Sequence, residues 1–553
     1  MERIRARRFL PFGSSSSAET VKLRTRKSKL YRKDNNATSR VHGFFGVGIV
    51  LFSVIFRLVN CLLVQTSFVP DEYWQSLEVS HRMVFKRSLY NALTLCLTYG
   101  YETWEWREGI RGYSYPLLFA AIYKLLHLLQ YDTPQLLILL PRVVQALLAA
   151  LADVKLYEIA RKWANPDAAK WTYFCQLCSW FTWYCSTRTL TNSMETTLTV
   201  LALSYYPLHG SRTHHSWKYL LLVSLAVIVR PTALIVWLPL LLHHLWREEN
   251  KLKLITHQGL PVVAVTLALS TLIDCTFYGQ WTFVQWNFVK FNVLHSVAEF
   301  YGTHPWHWYL TQGFPVVIGP HLPFFLHGCT LSGKMHRTLL MSIIWTLTIY
   351  SFLAHKEFRF IYPVLPFCMI FCGTSLVKLR SWRKPAAGVL LLLNLLPSLY
   401  TGLVHQRGVL DVMPHLQHLC DHTNSHSSPE PHVVFLMPCH STPLYSHLHC
   451  PIRLRFLECP PDLRGDPNYV DEASSFYADP LGWLGTSYPN ASTLPSHVVL
   501  FHPLEKEMSA FLNGNRFIKK SDIFHTHFPE GRTGNRIYIY ERSLEADPQS
   551  RQH

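Results

Sequence analysis

Long apolar runs alternate with shorter polar segments from about residue 43 to residue 404. The first run, at 43–65, reads GFFGVGIVLFSVIFRLVNCLLVQ and has the length of roughly 20 residues that a helix needs to cross a bilayer. The pattern therefore predicts an α-helical polytopic membrane protein. Further apolar runs lie near 136–159, 168–186, 189–208, 217–246, 256–276, 310–329, 337–354, 358–378 and 385–404.

Two apolar runs depart from the simple spanning pattern. The run at 115–129 is short for a crossing, which favours an interfacial or re-entrant helix. The run at 217–246 is interrupted by Arg230 and Pro231, and a proline inside a helix removes a hydrogen bond. This interruption predicts either a kink or a hairpin of two short helices.

After residue 404 the pattern changes to a polar, proline-rich and histidine-rich one. Three short apolar stretches, HVVFLMPC, HVVLF and RIYIYER, have the composition of β-strands. We therefore expect residues 405–553 to form a small C-terminal α/β domain. It carries a glycosylation sequon at Asn490 and four cysteines, which allow three disulfide pairings: Cys420, Cys439, Cys450 and Cys459.

Charge distribution orients the chain in the membrane. The chain has 553 residues, of which only 16% are charged, against about 25% in soluble proteins. Residues 1–41 carry 12 Lys and Arg against 3 Asp and Glu, so their net charge is 12 − 3 = +9. The positive-inside rule explains this excess better than nucleic-acid binding does, and it places residues 1–42 in the cytosol. The polar composition of the same residues predicts that this tail is disordered. The multi-pass region 43–404 then places the 66–112 loop on the lumenal face, together with 405–553.

The predicted lumenal loops combine acids, aromatic rings, arginines and histidines. Such residues can simply decorate a membrane interface, but indole rings also stack on sugars, and arginine or lysine binds phosphate. A carboxylate can take a proton from a sugar hydroxyl. A metal site is the competing interpretation, with His304 and His307, or His355 and Glu357, as ligands, but their spacing matches no strong zinc signature. The candidate residues are Asp71, Glu72, Trp104, Glu105, Arg188, Trp306, His307, Trp308, His355, Lys356 and Arg359.

Several motifs carry a family resemblance: FVPDEYWQSLE, TWEW, SYP, RTLTNSMET, FYGTHPWHWY, HKEFRFIYP and GLVHQRG. Together they resemble the dolichyl-phosphate-mannose-dependent mannosyltransferases of glycosyltransferase family 22, which have the GT-C fold. The members that act on the GPI anchor are the most similar. The resemblance implies transfer of the third mannose from dolichyl-phosphate-mannose, in α1,2 linkage, to the second mannose of the GPI glycolipid precursor. The donor is β-linked and the product is α, so the resemblance implies inversion at the lumenal face of the endoplasmic reticulum.

The resemblance implies neither a metal nor another cofactor, and it also implies residue roles. Asp71 is the candidate general base, and Glu72 positions it or binds the acceptor. The donor phosphate is assigned to His355, Lys356 and Arg359, with Arg188 as a further candidate. Sugar or acceptor binding is assigned to the loop residues Trp104, Glu105, Trp306, His307 and Trp308.

One segment departs from the family pattern. Residues 86–98, KRSLYNALTLCLT, separate EVSHRMVF from YGYETWEW, whereas the family pattern runs almost directly from one motif to the other. The insert lies in the catalytic loop and changes the spacing between Asp71 and Trp104, so an inactive isoform is one alternative. Another is an N-glycan mannosyltransferase of the same fold. A lipid transporter or scramblase would instead require acids at the membrane midplane, where Asp153 and Asp274 are the candidates.

Overall fold

A computed structural model describes residues 46–85, 100–207, 216–331, 333–422, 431–463, 465–466 and 468–543. The basic tail at 1–42 and the insert at 86–98 lie outside the described residues, so the predictions made for them remain predictions.

Helices dominate the region before residue 404. Five helical stretches of the described chain are long and apolar enough to cross a membrane: Gly46–Leu63, Pro134–Trp163, Lys251–Tyr278, Phe358–Lys378 and Arg380–Gln417. The chain is therefore a multi-span membrane protein, as predicted. The helices that precede residue 404 are α1 (Gly46–Leu63), α2 (Glu78–Phe85), α3 (Trp104–Arg107), α4 (Ser114–Leu128), α5 (Pro134–Trp163), α6 (Pro166–Cys178), α7 (Trp180–Cys185), α8 (Thr191–Tyr205), α9 (Trp217–Val229), α10 (Ala233–Arg247), α11 (Lys251–Lys253), α12 (Leu260–Tyr278), α13 (Val284–Val289), α14 (Phe314–Ile318), α15 (Leu322–Thr330), α16 (Lys334–Phe352), α17 (Leu365–Lys378) and α18 (Arg383–Leu403).

Local sequence explains where several helices begin and end. The Arg230-Pro231 interruption separates two short helices, α9 and α10, which is one of the two predicted outcomes. The apolar run at 168–186 is also two helices, α6 and α7, because Ser179 leaves the helical conformation and caps α7. Its hydroxyl accepts a hydrogen bond from the Thr182 amide at 3.4 Å. Helix α4 has 15 residues, so at 1.5 Å per residue it is shorter than a bilayer core of about 30 Å.

The two acids inside the apolar runs have partners. Asp153 accepts a hydrogen bond from Arg57 at 2.6 Å and another from Gln176 at 3.0 Å. Asp274 accepts from the backbone amide of Tyr113, at the start of α4, at 2.7 Å. A buried charge is tolerated when it is paired or hydrogen-bonded. Both acids therefore serve helix packing, and neither gives support to a transport pathway.

The C-terminal part contains a mixed sheet. Its five strands in the described chain, in the order β2-β1-β3-β5-β4, are β1 (His432–Leu436), β2 (Arg453–Phe456), β3 (His497–Phe501), β4 (Phe517–Phe524) and β5 (Arg536–Arg542). Strand β1 pairs in parallel with β2 and β3, whereas β5 is antiparallel to β3 and β4. The three predicted strands are β1, β3 and β5, whereas β2 and β4 were not predicted. The surrounding helices are α19 (Gly408–Gln417), α20 (Leu419–His422), α21 (Tyr445–Leu448), α22 (Glu472–Ala478), α23 (Pro480–Ser487) and α24 (Glu505–Gly514).

Both faces of this sheet are covered. Alternate residues of a strand point to opposite faces, so Val434 and Leu436 of β1 pack into one apolar cluster with α22 and α24. Val433 and Phe435 pack into another cluster that includes Tyr73, Trp74 and Leu77. The sheet therefore lies directly against the segment that follows the first span.

Two disulfides select one of the three possible pairings among the four cysteines of this part. Cys420 pairs with Cys450, and Cys439 pairs with Cys459. The second bond closes a loop whose ends are 20 residues apart in sequence. It therefore ties the segment after β1 to the segment after β2.

Candidate active site

The first polar loop begins with a helix that starts at Asp71, runs through a π-helical turn at Tyr73–Leu77 and continues as α2. We call Asp71–Phe85 the loop helix. Residues three and four apart share a helix face, so Asp71 lies on the side of Trp74 and Gln75. Successive residues are rotated by about 100°. The two adjacent acids Asp71 and Glu72 therefore have different partners.

Asp71 is held by an arginine from a distant loop. Arg359 donates from Nη1 to Asp71 Oδ2 at 2.5 Å. The same guanidinium also donates from Nε and Nη2 to the two carboxylate oxygens of Glu357, at 2.6 and 2.7 Å. The Arg359 side chain is 8% exposed and that of Asp71 is 26% exposed. The structure thus joins two of the predicted site residues at an opening that a ligand can reach.

His355 extends this network. Its Nδ1 lies 2.9 Å from the carbonyl oxygen of Gly302, and its Nε2 lies 3.1 Å from Glu357 Oε1. Burial lowers the pKa of His355, but the neighbouring Glu357 outweighs burial and leaves that pKa above its ordinary value. Burial alone would raise the pKa of Glu357, but Arg359 and His355 together hold it well below its usual range. The charged forms of both groups are therefore favoured.

Glu72 points into the protein and pairs with Arg188. Their closest oxygen and nitrogen are 2.8 Å apart, and the side chains are only 3% and 1% exposed. Arg188 also donates to Thr66 and to the carbonyl oxygen of Tyr184. The two predicted residues are therefore brought together beneath the opening, where they fix the start of the loop helix to the segment before α8.

Glu105 and Trp104 connect the first loop to its neighbours. Glu105 Oε1 accepts two hydrogen bonds from Arg111, at 3.1 and 2.7 Å, and Glu105 Oε2 lies 3.5 Å from the amide nitrogen of Gln75. Trp104 donates its indole N–H to the hydroxyl of Tyr301 at 2.7 Å. Asp71 and Arg111 are close enough for their charges to interact. Trp104, Glu105 and Asp71 thus belong to one region of the protein.

The other predicted residues lie around this region with different exposures. Lys356 is buried, and its Nζ donates to the carbonyl oxygens of His304 and Leu353. Trp308 is buried against the ring of His304, with the ring centres 4.7 Å apart. Trp306 is 66% exposed, and His307 is exposed and contacts Thr311. Their roles in binding remain predictions, as does glycosylation of the exposed Asn490.

One cluster in the described chain has the composition of a metal site, namely Cys439, His440 and Cys459. Both sulfur atoms are joined in a disulfide, so neither is available as a thiolate. His355 and Glu357, an alternative ligand pair, already contact Gly302 and Arg359. His355 and Glu357 therefore belong to an ion-pair and hydrogen-bond network with Arg359.

Comparison with known proteins agrees with this arrangement. A family described as the Alg9-like mannosyltransferase family matches residues 48–449. The chain is 65% identical over 545 residues to GPI alpha-1,2-mannosyltransferase 3 of Danio rerio, which covers 99% of this chain and 98% of that protein. The Homo sapiens protein of the same name is 56% identical over 527 residues, covering 95% of this chain and 93% of that protein.

The fold has relatives among solved structures. ArnT from Cupriavidus metallidurans, bound to undecaprenyl phosphate, superimposes with a TM-score of 0.57 at 13% identity, covering 91% of this chain and 99% of that chain. This similarity shows the GT-C fold, which confirms the predicted fold class. Because the family match spans most of the chain and relatives are identical at more than half of the aligned positions, the chain belongs to the Alg9-like mannosyltransferase family.

Proposed function

We propose that this protein transfers mannose from dolichyl-phosphate-mannose, in α1,2 linkage, to the second mannose of the GPI-anchor precursor. The observation that carries the proposal is the ion pair between Asp71 and Arg359, 288 residues apart in sequence, at an opening between two polar loops. The two relatives compared above are both named as GPI alpha-1,2-mannosyltransferases. Their names support a GPI substrate, mannose as the transferred sugar and the α1,2 linkage.

Asp71 is the proposed general base. Its Oδ2 is held by Arg359, whereas Oδ1 makes no hydrogen bond to any described residue. In the proposed step, Oδ1 takes the proton of the acceptor hydroxyl while the hydroxyl oxygen attacks the anomeric carbon of the donor mannose. The bond from the anomeric carbon to the phosphate oxygen breaks on the opposite face, and dolichyl phosphate leaves with the electron pair. The configuration inverts, and no covalent sugar–protein intermediate forms.

Arg359 and His355 are the proposed groups for the leaving phosphate. A guanidinium has five N–H donors, and three of those of Arg359 are used by Asp71 and Glu357. One N–H therefore remains on each terminal nitrogen. The protonated form of His355, which Glu357 favours, supplies positive charge beside them. This arrangement stabilises negative charge where it develops, while Glu357 keeps the guanidinium in place.

The donor and the membrane setting belong to the same proposal. The ArnT relative was solved with undecaprenyl phosphate, a polyprenyl phosphate of the same chemical class as dolichyl phosphate. The substrates would enter from the bilayer, and the network would face the lumen of the endoplasmic reticulum, with the N-terminal tail in the cytosol. This topology follows the positive-inside rule.

Complementation tests the proposal. Cells that lack their third GPI mannosyltransferase would express the intact chain, Asp71→Asn or Asp522→Asn, and GPI-anchored protein at the surface would be counted. Asp522 is the matched control, because it also pairs with an arginine at 2.5 Å but lies exposed on β4. We expect the intact chain and Asp522→Asn to restore surface protein, and Asp71→Asn to fail although it is expressed equally.

Two further outcomes decide the alternatives. If the intact chain fails but a form lacking residues 86–98 restores surface protein, the insert inactivates this form of the enzyme. If neither form restores it despite normal expression, the GPI assignment is wrong. Full restoration by Asp71→Asn would instead contradict the role of Asp71 as the base.

A further inference from the structure

A segment of the C-terminal part lies along the loop helix. The indole N–H of Trp74 donates to the carbonyl oxygen of Thr442 at 3.2 Å. One turn later, Glu78 Oε1 accepts hydrogen bonds from the backbone amides of Leu444 and Ser446, at 2.7 and 3.2 Å, and another from the Ser446 hydroxyl. The segment 440–446 therefore advances in the same direction as the loop helix.

This direction places His440 beside the catalytic end of the helix. Its ring lies 4.8 Å from the ring of Trp74, and Trp74 is on the same helix face as Asp71. The charges that act on His440 are those of Asp71 and Glu458. Glu458 is already engaged by Tyr101 and Arg107. His440 is therefore a residue of the sheet-containing part that lies beside Trp74, close enough to Asp71 for the two charges to interact.

The backbone of His440 has a conformation that few residues adopt. Its φ is +60°, in the left-handed region that only a few per cent of non-glycine residues occupy, histidine more often than most. The preceding residue, Cys439, is fixed by its disulfide to Cys459. Residues held in such conformations concentrate at functional sites, where the surrounding structure enforces them. The disulfide and the Trp74 contact are the enforcing features here.

The imidazole of His440 is available for a ligand. The residue is only half-buried, and its ring nitrogens make no hydrogen bond to the described part of the chain. Burial lowers the pKa of His440 to about 4, despite the opposing effect of Asp71 and Glu458. At neutral pH the ring is therefore uncharged and offers one donor and one acceptor. An uncharged donor and acceptor can hydrogen-bond to a sugar hydroxyl, whereas the negatively charged phosphate is expected to bind the guanidinium of Arg359.

We propose that His440 binds a hydroxyl of the acceptor glycan, and that the partly exposed residues 439–441 form the acceptor-binding side of the site. This inference rests on the proposed function. It makes the C-terminal part a determinant of acceptor choice, and it assigns the donor and the acceptor to opposite sides of Asp71. The acceptor class is a mannose-terminated glycolipid whose reacting hydroxyl must reach Asp71.

Steady-state kinetics of the full-length protein in detergent test this inference. The substrates are dolichyl-phosphate-mannose and a GPI precursor with two mannoses. His440→Gly removes the ring but suits the positive φ, so the fold is retained. His440→Asn also suits that φ and keeps a donor and an acceptor. We expect His440→Gly to raise the KM for the acceptor about tenfold, as for the loss of one or two uncharged hydrogen bonds. The donor KM should stay within twofold, and His440→Asn should recover part of the loss.

Controls separate this inference from the proposed function. His415→Ala, on the exposed surface of α19, is expected to behave like wild type. An unchanged acceptor KM in His440→Gly would overturn the inference, as would a rise confined to the donor KM or a fall in thermal stability alone. In each of those cases wild-type turnover leaves the proposed function intact. Absence of mannose transfer by wild type would refute the proposed function itself, and the inference with it.

Discussion

The pair formed by Glu72 and Arg188 leads to a quantitative prediction about the two adjacent acids. Glu72→Gln removes one charge of a buried pair and leaves Arg188 without its counter-ion, since both side chains are at most 3% exposed. Asp71→Asn changes a side chain that is 26% exposed, and solvent can compensate there. The first substitution is therefore expected to act on stability and the second on catalysis.

The sizes of the two effects follow from burial. Breaking a buried ion pair by removing one partner costs about 3–5 kcal/mol. Glutamine retains a carbonyl oxygen that can accept one hydrogen bond from Arg188, which returns about 1 kcal/mol. The free energy of unfolding should therefore fall by about 2–4 kcal/mol for Glu72→Gln. For Asp71→Asn the change is expected to be about 1 kcal/mol or less, as for partly exposed pairs.

The assay combines thermal unfolding in detergent with mannose transfer by the folded fraction. We expect Glu72→Gln to unfold at a clearly lower temperature while its folded fraction keeps most of its kcat. Asp71→Asn should unfold near the wild-type temperature and lose at least about 100-fold in kcat, the low end for a general base. Glu72→Gln combined with Arg188→Gln should be less destabilised than the sum of the single variants, because no buried charge is left unpaired. A thermally stable but inactive Glu72→Gln would refute this reasoning and place Glu72 in the chemistry.

Three further predictions concern residues around the site. The raised pKa of His355 means that its protonated form persists to higher pH than that of a free histidine, whose pKa is about 6.5, and is lost as pH rises through the higher value in the folded protein. Donor kcat/KM should therefore fall on the alkaline side, and His355→Gln, measured across pH, should lack that fall. Cys439→Ser with Cys459→Ser should destabilise the C-terminal part by about 3 kcal/mol, seen as faster limited proteolysis, whereas Cys275→Ser, which removes a free thiol, should not. Asn490→Gln should abolish a glycosidase-sensitive mobility shift if that part is lumenal; an unchanged shift would contradict this sequon as its source.

The helical part of the fold was largely predictable from the sequence. Apolar length alone marks the spanning runs, and the Arg230-Pro231 interruption correctly indicated a break. The break at Ser179 was missed because the surrounding residues remain apolar. Strand β4 was missed because polar residues, including Lys519 and Lys520, separate its two apolar ends, so the strand has no continuous apolar or alternating pattern.

The site was predictable only in part. The family motifs identified four candidates that the structure brings into two ion pairs, Asp71 with Arg359 and Glu72 with Arg188. Which arginine each acid contacts depends on the direction in which its side chain points from the helix. The order of residues in the sequence does not reveal that direction. His440 could have been found only from its motif, MPCHSTPLYSHLHC, since its proximity to Asp71 results from tertiary packing.

The packing of the sheet against the loop helix has a consequence for how the protein is made. Glu78 and Ser446, which hydrogen-bond to each other, are 368 residues apart in sequence. At roughly 5–20 residues per second, a ribosome needs about 20–75 s to synthesise that interval. During this time the apolar face of the loop helix has no partner sheet to cover it. A premature stop codon after α18 would therefore leave every helix up to α18 in place but leave the apolar face of the loop helix permanently uncovered, which makes such truncations candidates for recognition by chaperones.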